Sequence, residues 1–305
     1  MKSNQTRNSL LLFIAAFIWG TAFIAQSKGM DHLSPMAFNG VRNLIGASFL
    51  LVLVIIRYFK NPAIYKELDM AFTIRGGLLC GVALTASSTL QQYGLFYTTV
   101  GKAGFLTTLY VIFVPIAGIL FRKKVEWQVW VAAAMGATGI YLLCMTESLS
   151  LGFGDTLVFL CAIGYTVHIM VIDRFSPHTD GVLLSFIQFA FCGITCTVLS
   201  LFFGAPTTET VLGALGSLLY AGVMSSGVAF TLQIIAQKDL NPTIAALLMS
   251  LESVIATIAG VIAYKIGFLT TDQTMTVRQI VGCVVVFSAV VLVQLPSDWF
   301  HKKKV

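Results

Sequence analysis

Apolar residues fall in ten long runs along the chain, at about 10–28, 36–56, 76–97, 103–121, 128–145, 155–173, 181–203, 213–236, 243–265 and 279–295, each bounded by charges, Pro or Gly. An α-helix rises 1.5 Å per residue, so a run of ~20 residues spans the ~30 Å hydrocarbon core of a bilayer. Runs of this length in series predict transmembrane helices, because a membrane barrel shows alternating segments of only about ten residues. The polar stretches between runs reach no more than about 20 residues, which leaves no room for a soluble domain between them.

Composition supports the same class. Hydrophobic residues make up 57% of the chain, charged residues 10%, and mean hydropathy is +0.87. A soluble domain carries about 25% charged residues. The net charge of +6 points to no nucleic acid, since the basic residues sit in short connections and form no extended patch. It reports orientation instead. With ten spans and a cytoplasmic N-terminus, 14 of the Lys and Arg residues fall inside and 4 outside (Lys28, Lys102, Lys265, Arg278), which predicts both termini in the cytoplasm. Leu10–Gln26 lacks a small-x-small cleavage site and is read as an uncleaved first span. The cysteines Cys80, Cys144, Cys161, Cys192, Cys196 and Cys283 all lie in apolar runs without metal-ligand spacing. They read as small buried hydrophobes, with no metal and no cofactor expected.

The second half of the chain repeats the first. Leu106–Gly118 (LTTLYVIFVPIAG) aligns without a gap with Leu248–Gly260 (LMSLESVIATIAG), 142 positions later. Met30–Pro35 matches Ile172–Pro177 at the same offset, as do Gln91 with Gln233 and Lys123 with Lys265; Gly136 matches Gly282 after a short insertion. Five spans per half is an odd number, so the expected architecture is two inverted five-helix repeats, residues 10–145 and 152–295. Inverted repeats characterise secondary transporters, whose site lies at the repeat interface near the midplane. A duplicated scaffold without transport is the alternative.

Polar residues inside the runs are the informative ones, because an acid at mid-membrane costs about 2.5–3.5 kcal/mol on insertion scales. Glu252 lies near the middle of the ninth run. It reads either as a proton-coupling or amine-binding group, or as a structural acid neutralised by a neighbour. Arg42 in the second run suits a substrate carboxylate, a partner in Glu252, or snorkelling to the interface. Asn39 lies at i−3 from it and is expected on the same cavity face. Tyr110 stands where the second half has Glu252, which predicts one phenolic and one acidic face. His168 occupies the repeat position of Gln26, and Gln188 aligns with Arg42 after a four-residue shift. With Gln91, Gln233 and Trp19 these complete the candidate cavity set, with no catalytic residue among them. Trp127, Trp130 and Trp299 read as interfacial anchors. Ala132–Gly139 permits close helix approach, Gly76, Gly77 and Gly81 are gate or packing positions, and Pro115, replaced by Thr257 in the second half, predicts a kink on one side only.

Phe17-Ile18-Trp19-Gly20-Thr21-Ala22-Phe23, Arg42 in Phe38-Asn39-Gly40-Val41-Arg42, the Gly154-Asp155 start of the sixth run and Leu251-Glu252-Ser253-Val254 together resemble the EamA-domain family of the drug/metabolite transporter superfamily. The resemblance covers about residues 10–295. It departs from the family pattern where a Gly-Glu pair usually closes the fourth helix of each half, since Lys123-Lys124 and Lys265-Ile266 stand there. It implies ten helices around a central cavity lined by the first four of each half, with each fifth helix peripheral. The expected function is a secondary carrier for small organic solutes (metabolites, amino acids or drug-like compounds), an exporter in the cytoplasmic membrane driven by protons or by the solute gradient. No Walker motif occurs to couple ATP. An intramembrane enzyme or a channel is the runner-up, lacking in the sequence a nucleophile-base cluster or a filter-like ring. The expected partners are a small-molecule substrate and the lipid bilayer, as a monomer or a homodimer.

Overall fold

The computed structural model describes residues 2–98, 100–120, 127–144, 152–268 and 275–294, which among themselves form helices and no strand. In chain order these are α1 (Lys2–Gly29), α2 (Pro35–Lys60), a single turn α3 (Ala63–Lys66), α4 (Met70–Tyr97), α5 (Val100–Thr108), α6 (Tyr110–Leu120), α7 (Trp127–Cys144), α8 (Phe153–Phe175) and α9 (Gly181–Phe203). Then come the short α10 (Thr208–Gly213) and α11 (Leu215–Leu219), a π-helical stretch at Tyr220–Ala229, α12 (Phe230–Gln237), α13 (Pro242–Met249), α14 (Leu251–Lys265) and α15 (Val277–Gln294). Lys123-Lys124 and Trp299 lie outside the described residues.

Eight segments are long and apolar enough to cross a membrane, the pairs α5–α6 and α13–α14 and the run from α11 to α12 each counting as one. Val277–Leu292 is a shorter apolar helix. The expected fifth and tenth spans correspond to α7 and α15, which pack along each other at one flank. There Gly139 meets the backbone of Gly282 and Val286, a contact that only a residue without Cβ allows. The outward faces carry large apolar side chains such as Phe17, Val82, Ile194, Leu201 and Val284. Water cannot solvate that surface but lipid can. The chain is an all-α, multi-pass membrane protein.

Helix starts follow local chemistry. Ser34 caps α2 by accepting from the Ala37 amide at 3.3 Å, ahead of Pro35 at the first helical position. Asp69 caps α4, and Asn241 caps α13 ahead of Pro242. Asp180 caps α9, accepting from the Val182 and Leu183 amides at 3.1 and 3.0 Å. In the second copy of the repeated Ser-Pro pair, a 3-10 turn at Ser176–His178 intervenes before α9, which therefore starts later than α2 does in the first copy. That turn accounts for the four-residue shift between Arg42 and Gln188. Asp155 of the Gly154-Asp155 pair accepts from the Gly152 amide at 3.0 Å and from the Thr98 hydroxyl, tying the start of α8 to the end of α4.

The packing recurs in equivalent pairs. α2 lies along α9; α4 lies along α8, while α1 lies along the helix from α11 to α12; α1 also crosses α13–α14, while α8 crosses α5–α6. Opposite ends of the α2–α9 pair are fastened differently. At the start of α9, Arg57 donates to Asp180 at 2.8 Å. At its far end Gly204, in the left-handed region at φ 110°, presents a carbonyl that accepts from the Ser34 hydroxyl at 2.9 Å. Gly76, Gly77 and Gly81 on α4 lie against Phe175, Ile187 and Phe191 and serve close packing on α8 and α9.

The expected one-sided kink at Pro115 is not where the helices break. Pro115 lies inside α6, and both long helices are interrupted at corresponding places: at Leu109 between α5 and α6, and at Ser250 between α13 and α14. A hydroxyl bonds a helix carbonyl at each break. Thr108 donates to the carbonyls of Gly104 and Phe105, and Ser250 donates to that of Leu247 at 2.7 Å. Such back-bonding bends helices without any proline.

Candidate functional site

Around these two interruptions the helices form a partly open cavity with about 50 Å³ available to the centre of a water-sized molecule. α1 contributes Trp19, Phe23 and Gln26, and α2 contributes Arg42; Gln91 comes from α4, Thr107 from α5 and Tyr110 from α6. Tyr165, His168 and Ile169 come from α8, Ser225 from the π stretch, Phe230 and Gln233 from α12, Met249 from α13 and Glu252 from α14. α9, α7 and α15 contribute no lining residue.

Ten of these fifteen residues form five pairs related by the 142-residue offset: Phe23 with Tyr165, Gln26 with His168, Gln91 with Gln233, Thr107 with Met249, and Tyr110 with Glu252. The last pair is in direct contact. Tyr110 donates its hydroxyl to Glu252 Oε1 at 3.2 Å, so equivalent positions of the two halves meet face to face. Each stands in the first turn after a break. Gly20 explains how α1 reaches this point, since its Cα lies against Ile255 and the backbone of Glu252 too closely for any Cβ.

Arg42 is buried and lines the cavity, so it does not snorkel. Nor does it neutralise Glu252; among the described residues the ion pairs are Lys28–Asp31 and Arg57–Asp180. Its Nε donates to Asn39 Oδ1 at 2.9 Å and its guanidinium lies 5.8 Å from the Phe38 ring centroid. Asn39, expected on the cavity face, stands behind Arg42 and orients it. Gln188 likewise stands behind the cavity, with its carbonyl accepting from His168 Nε2 at 2.9 Å. In that arrangement His168 carries its proton on Nε2 and presents the Nδ1 lone pair inward. Gln91 donates to Thr107 at 3.1 Å and accepts from Tyr165 at 3.2 Å, which fixes its amide.

Four buried polar atoms of lining residues have no hydrogen-bond partner in the protein: Trp19 Nε1, Gln26 Oε1, His168 Nδ1 and Gln233 Oε1. A buried polar group left unpaired costs about 1–3 kcal/mol, so such groups are positioned for something the protein does not itself supply. Three of the four are acceptors and one is a donor. Together with the Glu252 carboxylate they favour a guest rich in N–H groups, while Arg42 offers a guanidinium to an anionic one.

Phe23 and Tyr165, which read from the sequence as part of an aromatic wall with Trp19, Tyr93 and Tyr110 but fall outside the candidate set, both line the cavity; sequence reasoning missed Thr107, Ile169, Ser225, Phe230 and Met249. Phe230 is central, with its ring 4.7 Å from that of Trp19 and 5.8 Å from that of His168. The 142-residue offset, applied to Gln26 and Gln91, was the signal that pointed to such neighbours, and it extends to Phe23, Tyr165, Thr107 and Met249. Ser225 carried no signal, because it reaches the cavity from the π stretch.

The model of the EamA-like transporter family matches residues 7–145 and 152–295. An "Uncharacterized transporter" of Archaeoglobus fulgidus is 29% identical over 288 residues, covering 93% of this chain and 84% of its own. The "Uncharacterized inner membrane transporter YedA" of Escherichia coli is 24% identical over 298 residues, covering 96% and 92%. A crystal structure at 17% identity superposes with a TM-score of 0.73, covering 97% of this chain and 99% of the other, and so shares the fold.

Proposed function

From the chain's membership of the EamA-like transporter family, we propose that it is a secondary carrier that moves small amphoteric organic solutes across the cell membrane by alternating access. One observation carries this reading: a buried acid and a buried base, Glu252 and Arg42, line the same cavity without pairing with each other. Burying an acid and a base in lipid and leaving them apart is costly unless a ligand completes them. An ammonium group fits Glu252 with the acceptors of Gln26 and Gln233, and a carboxylate fits the Arg42 fork held by Asn39. Trp19 and Phe230 supply an apolar wall for the remainder.

Two inverted repeats, residues 10–145 and 152–295, would rock about the contact between Tyr110 and Glu252. The recurrence of helix pairs, the matched helix breaks and the five repeat-related lining pairs support that division. Glu252 is the candidate for proton coupling, and export is the direction we assign. The inner-membrane name of the Escherichia coli relative supports a cell-membrane location. The bias of 14 basic residues against 4 supports cytoplasmic termini.

Flux in proteoliposomes, measured for zwitterionic, purely cationic and purely anionic solutes with and without a pH gradient, tests this. Saturable flux is expected for zwitterions above both single-charge classes. Equal flux of all three would defeat the amphoteric reading, and saturable flux indifferent to an imposed pH gradient would defeat proton coupling.

A further inference from the structure

A second recess lies at the end of the bundle where α2 stops, α9 starts and α12 ends, away from the central cavity. It has about 240 Å³ available to the centre of a water-sized molecule and has an apolar floor of Val182, Ile234 and Ile235. Its polar rim consists of Arg57, Ser176, Thr179, Asp180 and Lys238. The Asp180 carboxylate is already engaged, with Val182 and Leu183 amides on one oxygen and Arg57 on the other. It therefore offsets the Arg57 charge and takes the free amides of the α9 start for itself, so the helix end contributes little. Thr179 is likewise engaged, donating to the Phe175 carbonyl at 3.0 Å.

The groups left over are donors. Arg57 spends Nη2 on Asp180 and also lies beside the Tyr65 hydroxyl, which leaves the remaining N–H groups of its five-donor fork to give. Lys238 is exposed at the rim and carries three N–H groups. The Ser176 hydroxyl is 98% buried at the residue level, lines the recess, and has no partner in the protein. One positive charge in excess, a rigid guanidinium fork and a buried hydroxyl above an apolar floor match a tetrahedral oxyanion attached to an apolar body. Basic pockets between helix ends at the membrane surface take lipid headgroups by the same chemistry.

We propose that this recess is a phosphate-binding site, formed by Arg57, Lys238 and Ser176, for a lipid headgroup or a soluble phosphate ester. It stands independently of the carrier reading, since none of its residues lines the central cavity. The full-length protein in nanodiscs tests it in two arms. In the first, lipid retention is measured by native mass spectrometry with phosphatidylglycerol against phosphatidylcholine. In the second, phosphatidylcholine discs are titrated with inorganic phosphate and glycerol phosphate, with the melting temperature as readout. A charged hydrogen bond contributes about 1.5–3 kcal/mol, so binding should weaken about tenfold or more in Lys238→Gln combined with Ser176→Ala and stay within about threefold in Lys238→Arg. Loss in the first arm identifies a lipid headgroup, and loss in the second a soluble phosphate. Equal binding by wild type and the double variant in both arms, or no preference of the wild type for any phosphate anion, overturns the proposal. Lys238→Arg separates loss of the site from loss of folding.

Discussion

On one wall of the central cavity stand Phe23, Gln26, Gln91, Thr107 and Tyr110; on the other, 142 positions further along, stand Tyr165, His168, Gln233, Met249 and Glu252. The backbones behind them are interrupted at nearly equivalent places, Leu109 and Ser250, and part at the π stretch of Tyr220–Ala229, whose counterpart inside α4 is regular. Apart from Gln91 and Gln233, the side chains differ. A phenyl faces a phenol, an amide faces an imidazole, a hydroxyl faces a thioether, and a phenol faces a carboxylate. Arg42 and its shifted counterpart Gln188 differ in the same way, one lining the cavity and the other standing behind it. Each half thus contributes one charge at a place where the other half is neutral. The two walls therefore present different chemistry to anything that binds between them.

That contrast can be broken most severely at the acid. Glu252→Gln preserves shape and the Tyr110 contact while removing the only acidic lining residue. Zwitterion flux in proteoliposomes should fall about 10- to 100-fold, the worth of a charged hydrogen bond at about 1.5–3 kcal/mol. Flux within twofold of wild type would mean the carboxylate has no part in transport. On the opposite wall, Tyr110→Phe removes one neutral donor and leaves the Glu252 carboxyl in place. A net hydrogen bond of about 0.5–1.5 kcal/mol predicts a drop of about 2- to 12-fold in the same assay. If this variant is as damaged as Glu252→Gln, the two walls are functionally equal and the asymmetry argument is wrong.

Two further substitutions make the halves more alike. Gly104 corresponds to Ala246, and a Cβ added there meets Ala256 and Ser253 at 3.8 Å, an ordinary contact. Gly104→Ala should stabilise α5 by about 0.5–1 kcal/mol, read as a rise in melting temperature in detergent. A fall would indicate that the first-half helix needs a looseness the second does not. Smallest of all, Pro115→Thr installs the residue of the second half. Because the break at Leu109 lies away from Pro115, and the second half breaks at Ser250 without a proline, flux should stay within about twofold, and hydrogen exchange at Leu109–Ile112 should be unaltered. Protection gained across Leu109 would restore proline as the cause.

Much of this was legible in the chain. The apolar runs and their caps mark helices because lipid leaves the backbone no other way to satisfy itself. Glu252, Arg42 and the glutamines announce a cavity because nothing else justifies them in lipid. What the sequence hid depends on competition between neighbours of similar energy. Thr108 and Ser250 look like ordinary helix residues until their hydroxyls take helix carbonyls. The π stretch at Tyr220–Ala229 has a regular counterpart inside α4, so no local propensity distinguishes them. Asn39 and Gln188 share helical spacing with cavity residues, but the partners they orient, Arg42 and His168, stand between them and the lumen.

The fastening of α2 to α9 has one more consequence. At the Arg57 end the closure is ionic and 39% of the arginine side chain is open to solvent, whereas at the Ser34 end a neutral hydroxyl meets a carbonyl. Dissolved electrolyte screens the first kind of closure and ignores the second. Raising ionic strength therefore loosens this helix pair from a single side of the membrane, and a brine-filled lumen and a brine-filled exterior are not interchangeable environments for this molecule.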